Sequence, residues 1–92
     1  MSATIYKYPI SITDKQEIAM PGQPEVLSVG LDPGGQPCVW ARVRPGEPDF
    51  KVHLRVYGTG NPCDVPPEWP FIGTFLQHSL VWHVFASRGV SR

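Results

Sequence analysis

The stretch CVWARVRPGEPDFKVHLRVY, residues 38–57, decides the fold class. Two alternating runs, CVWARVR (38–44) and FKVHLRVY (50–57), flank the break PGEPD (45–49). Alternation with period two sends successive side chains to opposite faces of a strand. Val39, Ala41 and Val43 share one face of the first run. Phe50, Val52, Leu54 and Val56 share one face of the second, and together these are the expected core. The other faces carry Trp40, Arg42 and Arg44 on the first run, and Lys51, His53, Arg55 and Tyr57 on the second. A five-residue turn between two such runs predicts a hairpin, which would join the polar sets into one surface. Four of the eight Lys and Arg residues then fall within residues 42–55 on that surface, with Glu47 and Asp49 confined to the turn.

The same period recurs outward from this stretch. TIYKYPI (4–10), KQEIAM (15–20), EVLSVGL (25–31), FIGTFLQ (71–77) and LVWHVFA (80–86) all read as short strands. DPGGQP (32–37), a loop from Gly58 to Pro70, and the link His78-Ser79 separate them, with Gly and Pro where turns need them. No segment repeats apolar residues at helical spacing. One helical turn is expected near PPEWP (66–70) or near Asp14. The prediction is an all-β chain with little helix, a small antiparallel barrel or sandwich of six to seven short strands. It occupies one domain, 1–92, with 87–92 as a frayed tail. The last two strands are apolar on both sides, as in strands covered twice. A 92-residue domain buries a modest share of its surface alone. Both features predict a homo-oligomer.

Eight basic and eight acidic residues cancel, so the overall basic footprint of a nucleic-acid binder is absent and no sequence-specific nucleic-acid partner is expected. No apolar run reaches the length of a membrane helix, and MSATIYKYPI lacks the apolar core of a signal peptide. The expectation is a cytoplasmic protein without membrane contact. Cys38 and Cys63 are then expected as free thiols. His78 and His83 have no metal-ligand spacing, and no Cys-x-x-Cys is present, so no metal and no cofactor are predicted. Ser79 lacks a nucleophile-elbow context, and nothing fixes the geometry of Asp64 and Glu68. No motif supports catalysis, and the chain is read as a non-enzyme.

The polar surface of 38–57 has two readings. Long charged side chains normally cover a solvated strand face. Arginine forks beside Trp and Tyr rings also suit a phosphorylated, ring-bearing ligand. Gly58, Thr59, Gly60 and Asn61 continue from Tyr57 and would form the rim of such a site. A glycine loop can aim backbone N–H groups at a phosphate, but a phosphate loop normally feeds a helix, and here CDVPP follows Pro62. A plain turn is the alternative. Trp69 is expected as a plug at the end of the fold, or as a lid or partner contact. His83 is expected as a core or edge histidine, or as a residue bordering the cleft or interface.

TIYKYPI, EVLSVGL, PCVWARV, RVYGTGNP and FIGTF followed by LVWHVF resemble a family of small uncharacterised proteins encoded by phages and prophages and by some bacteria. The pattern YGTG, FIGT, VWHVF is its most specific part. The resemblance implies a small viral protein in an infected cell, and so a part in countering host defence. The first expectation is a homo-oligomer that sequesters a host nucleotide signal, of cyclic ADP-ribose or cyclic dinucleotide type, with the residues named above as its pocket. The alternatives are a blocker of a host defence protein, an enzyme that cleaves the signal, and a structural accessory.

Overall fold

The computed structural model describes residues 2–87 and 90–91. Seven antiparallel strands follow the expected runs: β1 (Thr4–Pro9), β2 (Lys15–Pro21), β3 (Glu25–Leu31), β4 (Pro37–Val43), β5 (Asp49–Gly58), β6 (Phe71–Gln77) and β7 (Leu80–Ala86). A two-residue β8 (Val90–Ser91) pairs with Lys51 and Phe50 of β5. The strands divide into a three-stranded sheet, β1-β4-β3, and a larger sheet, β2-β5-β7-β6. The fold is an open two-sheet sandwich, and no barrel closes among the described residues.

This division corrects the expected hairpin. β4 and β5 are neighbours in sequence but lie in different sheets. Each is an interior strand with both edges used, β4 between β1 and β3, β5 between β2 and β7. Val39, Ala41 and Val43 face Val52, Leu54 and Val56 across the sandwich, and all six are buried. Alternation is satisfied equally by two strands side by side and by two strands face to face, so it could not decide between them. The polar sets on the outer faces therefore point away from each other, on opposite sides of the molecule.

Turn chemistry explains the crossing. Glu47 N donates to Arg44 O at 3.2 Å, with Pro45 and then Gly46 (φ 91°) between them, a type II arrangement. The chain then meets Pro48, whose carbonyl accepts from Gly22 N at 2.9 Å, while Arg44 N donates to Pro21 O at 3.1 Å. The β2–β3 and β4–β5 connections thus run side by side from one sheet to the other. At the β3–β4 hairpin, Asp32 Oδ1 accepts from the amides of Gly34 (2.9 Å) and Gln36 (3.0 Å), and its Oδ2 takes Lys7 Nζ at 3.0 Å.

The core also takes in Ile10, Met20, Phe75, Val84 and Ala86. Trp82 packs against it half-buried. At one side β3 approaches β6, where a Cβ on Gly73 would lie 3.1 Å from Val29. Of the tail expected to fray, Ser87, Val90 and Ser91 are among the described residues. Ser87 exchanges hydrogen bonds with His53 at 2.8 and 2.9 Å, and Val90 and Ser91 pair with β5. Residues 88, 89 and 92 of that tail lie outside the described residues. PPEWP forms a single turn, Trp69 N to Pro66 O at 3.0 Å, and no helix occurs among the described residues. No helix is long and apolar enough to cross a membrane.

The β6–β7 hairpin turns on His78 (φ 54°) and Ser79 (φ 67°), both left-handed, as a type I′ turn requires. A side chain there costs about 1–2 kcal/mol, and glycine's extra chain entropy returns part of that. Ser79→Gly is expected to stabilise the chain by about 0.5–1 kcal/mol, a rise of about 4 °C in thermal unfolding. An unchanged or lower midpoint would count against this turn.

Candidate functional site

Nearest-neighbour register fixes which side chains share the outer face of the larger sheet. Lys15 and Glu17 of β2 lie opposite Arg55 and His53 of β5. On the other side Phe85 and His83 of β7 lie opposite Arg55 and Tyr57. Thr74 and Phe71 of β6 lie beyond them. The residues from Thr59 to Pro70 fold back across this face. Trp69 lies over Arg55, 5.1 Å from the guanidinium carbon to the ring centre, and 6.4 Å from His53. Trp69 is thus a cover on the sheet, not a plug at its end.

Asp64 closes a small polar network with Tyr57 and Arg55 from the solvent side. The Tyr57 hydroxyl donates to Asp64 Oδ1 at 2.8 Å, and Arg55 Nη1 lies 3.4 Å from both that oxygen and the Tyr57 hydroxyl. The hydrogen bond from Tyr57 holds the Asp64 carboxyl below its ordinary range. Partial burial, with Asp64 as acceptor, pushes the Tyr57 phenol up.

His83 is clamped between two threonines. Its Nε2 lies 2.7 Å from Thr59 Oγ1 and its Nδ1 2.9 Å from Thr74 Oγ1. In the neutral ring one nitrogen donates and the other accepts, so the two hydroxyls take opposite roles. His83 thereby ties the glycine turn to β6. It belongs to the outer face and is not a core residue.

Gly58-Thr59-Gly60-Asn61 is a hydrogen-bonded β-turn. Asn61 N donates to Gly58 O at 3.1 Å, Gly60 has φ 91°, and Thr59 N donates to Val81 O at 3.2 Å. Two turn amides are spent on carbonyls, which corrects the idea of a backbone phosphate cradle. A Cβ on Gly58 would lie 2.9 Å from Asn61 Nδ2 and 3.3 Å from Trp82, so a side chain there would push the exposed Asn61 amide aside.

Two clefts meet at this turn. One, about 520 Å³, is lined by Asp14, Lys15, Arg55, Tyr57, Gly58, Asn61, Asp64 and Trp82 among others. The other, about 270 Å³, is apolar and bounded by Tyr57, Phe71, Phe85, His83, Cys63 and the turn itself. Tyr57, Gly58 and Asn61 border both.

A family model described as a domain of unknown function, DUF7352, matches residues 1–91. The chain belongs to that family. No curated protein and no solved structure matches it significantly.

The sequence-predicted pocket divides within this DUF7352 fold. Arg55, Tyr57, Gly58, Thr59, Gly60 and Asn61 come together, with His83 and Trp69 beside them. Lys51 and His53 share the sheet face, where Lys51 pairs with Glu17 at 3.7 Å and His53 Nδ1 lies 4.0 Å from the same carboxylate. Trp40, Arg42 and Arg44 lie on the three-stranded sheet or its edge and cannot reach this site. Arg42 Nη2 bonds Glu25 Oε1 at 2.7 Å, and with Arg44 it borders a separate 350 Å³ cleft. The expectation of an acid-free basic face is thus corrected as well. Glu17 and Glu25 come from neighbouring strands and Asp64 from the return of the loop after β5, where spacing along 38–57 could not reveal them. Lys15, Phe71 and Phe85 reach the site through the sheet order β2-β5-β7-β6, which spacing along the chain does not reveal. Cys38 is buried and Cys63 exposed, both free. No cluster of metal-ligating side chains occurs among the described residues.

Proposed function

We propose that this chain is a binding module that holds a nucleotide-type ligand at the Gly58–Asn61 turn without altering it. The observation that carries this reading is the meeting of the two clefts. The apolar one offers the rings of Tyr57, Phe71 and Phe85 to a base, and the polar one offers Lys15 and Arg55 to phosphate. Together they suit a ring joined to an anion better than either part alone. The phage resemblance gives this module its setting, a viral protein that sequesters a host nucleotide signal.

The test is thermal unfolding of the purified chain against ADP-ribose, its cyclic isomers and cyclic dinucleotides. A ligand at 100 times its dissociation constant stabilises by about 2.7 kcal/mol, a rise on the order of 10 °C. The expected result is such a rise with one nucleotide, which is recovered chemically intact after heating. Recovery of a cleaved product would favour the enzyme reading instead.

A second reading has its own support. On the outer face of β6 and β7, Phe71 and Leu76 are 55% and 63% exposed. Exposed apolar groups of this kind suit a second copy of the chain or a host protein. A chain that shifts with no nucleotide, yet runs above monomer mass and returns to monomer with Leu76→Glu, would support it.

A further inference from the structure

Arg55 is an arginine held in place but sparingly used. Its side chain is only 19% exposed, under Trp69 and beside Tyr57. Among the described residues its hydrogen bonds all run through Nη1, and both are long, at 3.4 Å. Nε and Nη2, one edge of the planar fork that grips a phosphate from two points, make no hydrogen bond among the described residues. The carboxylate set against it, Asp64, is 79% exposed and comes from the solvent side on a loop. Its shortest bond is to Tyr57, not to the arginine. The carboxylate therefore stands at the entrance to a pre-positioned guanidinium without saturating it.

We propose that Asp64 is a built-in competitor for Arg55, displaced when the anionic group of a phosphorylated ligand takes the guanidinium. This rests on the binding reading above and names how that site is gated. A phosphate oxygen pair fits the unused donors, and its charge repels the Asp64 carboxylate from the long Nη1 contact, which the exposed loop lets move outward. The loop 59–70 then shifts with Asp64, while Thr59 stays anchored through His83.

The experiment is titration of the full chain with pyrophosphate at low salt, followed through the Arg55 Nε–H resonance. Asp64→Asn keeps an exposed, isosteric side chain and removes the competing charge. It is expected to tighten pyrophosphate about two- to fivefold, the scale of a solvent-exposed charge pair. Tyr57→Phe, which removes the bond that holds Asp64 in place, is expected to shift affinity in the same direction. Adenosine, which has no anion, is expected to bind Asp64→Asn and the parent chain equally. If pyrophosphate moves the Arg55 resonance in the parent chain but Asp64→Asn binds no tighter, the gate is wrong and the binding site stands. If the Arg55 resonance moves in neither chain, the gate fails with the phosphate half of the site.

Discussion

Leu54→Ala is expected to destabilise the chain by about 2–5 kcal/mol. Leu54 is 1% exposed and sits mid-strand in β5, flanked in register by Gln16 and Ala86. It faces the inner residues of β4 across the sandwich, so its removal opens space between two sheets that no single backbone shift can close. A domain of this size has roughly 5–14 kcal/mol in total. The loss is thus a large share of stability, and the urea midpoint should fall steeply with little change in slope. A loss below about 1 kcal/mol would mean that Leu54 is not at the centre of the core.

Gly22→Ala is expected to cost about 2–4 kcal/mol, although it adds one methyl group. Gly22 has φ 57°, where a side chain is strained. A Cβ there would meet Arg44 Cβ at 2.5 Å and Glu47 Oε1 at 2.8 Å. Arg44 Cβ is fixed to backbone that bonds Pro21, so it cannot swing away. Strain and overpacking add, and the shorter list of unfolded conformers offsets only part of them. The clash exists only because the two crossings between sheets run side by side. A neutral Gly22→Ala in thermal or urea unfolding would therefore contradict the assignment of β4 and β5 to different sheets.

The sequence located the strands well because period two and the Gly and Pro turns are local signals. TIYKYPI, EVLSVGL, FIGTFLQ and LVWHVFA all became strands, and the inward sets Val39-Ala41-Val43 and Val52-Leu54-Val56 became core. Partner choice is not local. PGEPD has the length of a hairpin turn, yet hydrogen bonds from Arg44 and to Pro48 tie it to Pro21 and Gly22, twenty-odd residues earlier. That one error split the expected basic face in two. The electrostatic reading failed with it, because Glu25 meets Arg42 and Glu17 meets His53 by strand register. Asp64 meets Arg55 by the return of a loop. What remained legible was the part contiguous in sequence, Arg55 to Asn61. Its aromatic wall from Phe71 and Phe85 and its lysine from β2 needed the sheet order to find.

The division of the sheets leaves sharply different expectations for the two outer faces. The face with Trp40 and Arg42 is an ion-paired surface, where Lys7 meets Asp32 and Arg42 meets Glu25. The face with Arg55 and Tyr57 has the paired clefts and the covering loop. Mapping backbone amide resonances of the full chain during titration with ADP-ribose, and then with a cyclic dinucleotide, separates them directly. The account predicts that amides of Thr59, Gly60, Asn61, His83 and Phe85 shift together and saturably, while those of Lys7, Trp40 and Arg42 stay in place. Shifts centred on Trp40 and Arg42, or none with either nucleotide, would contradict it.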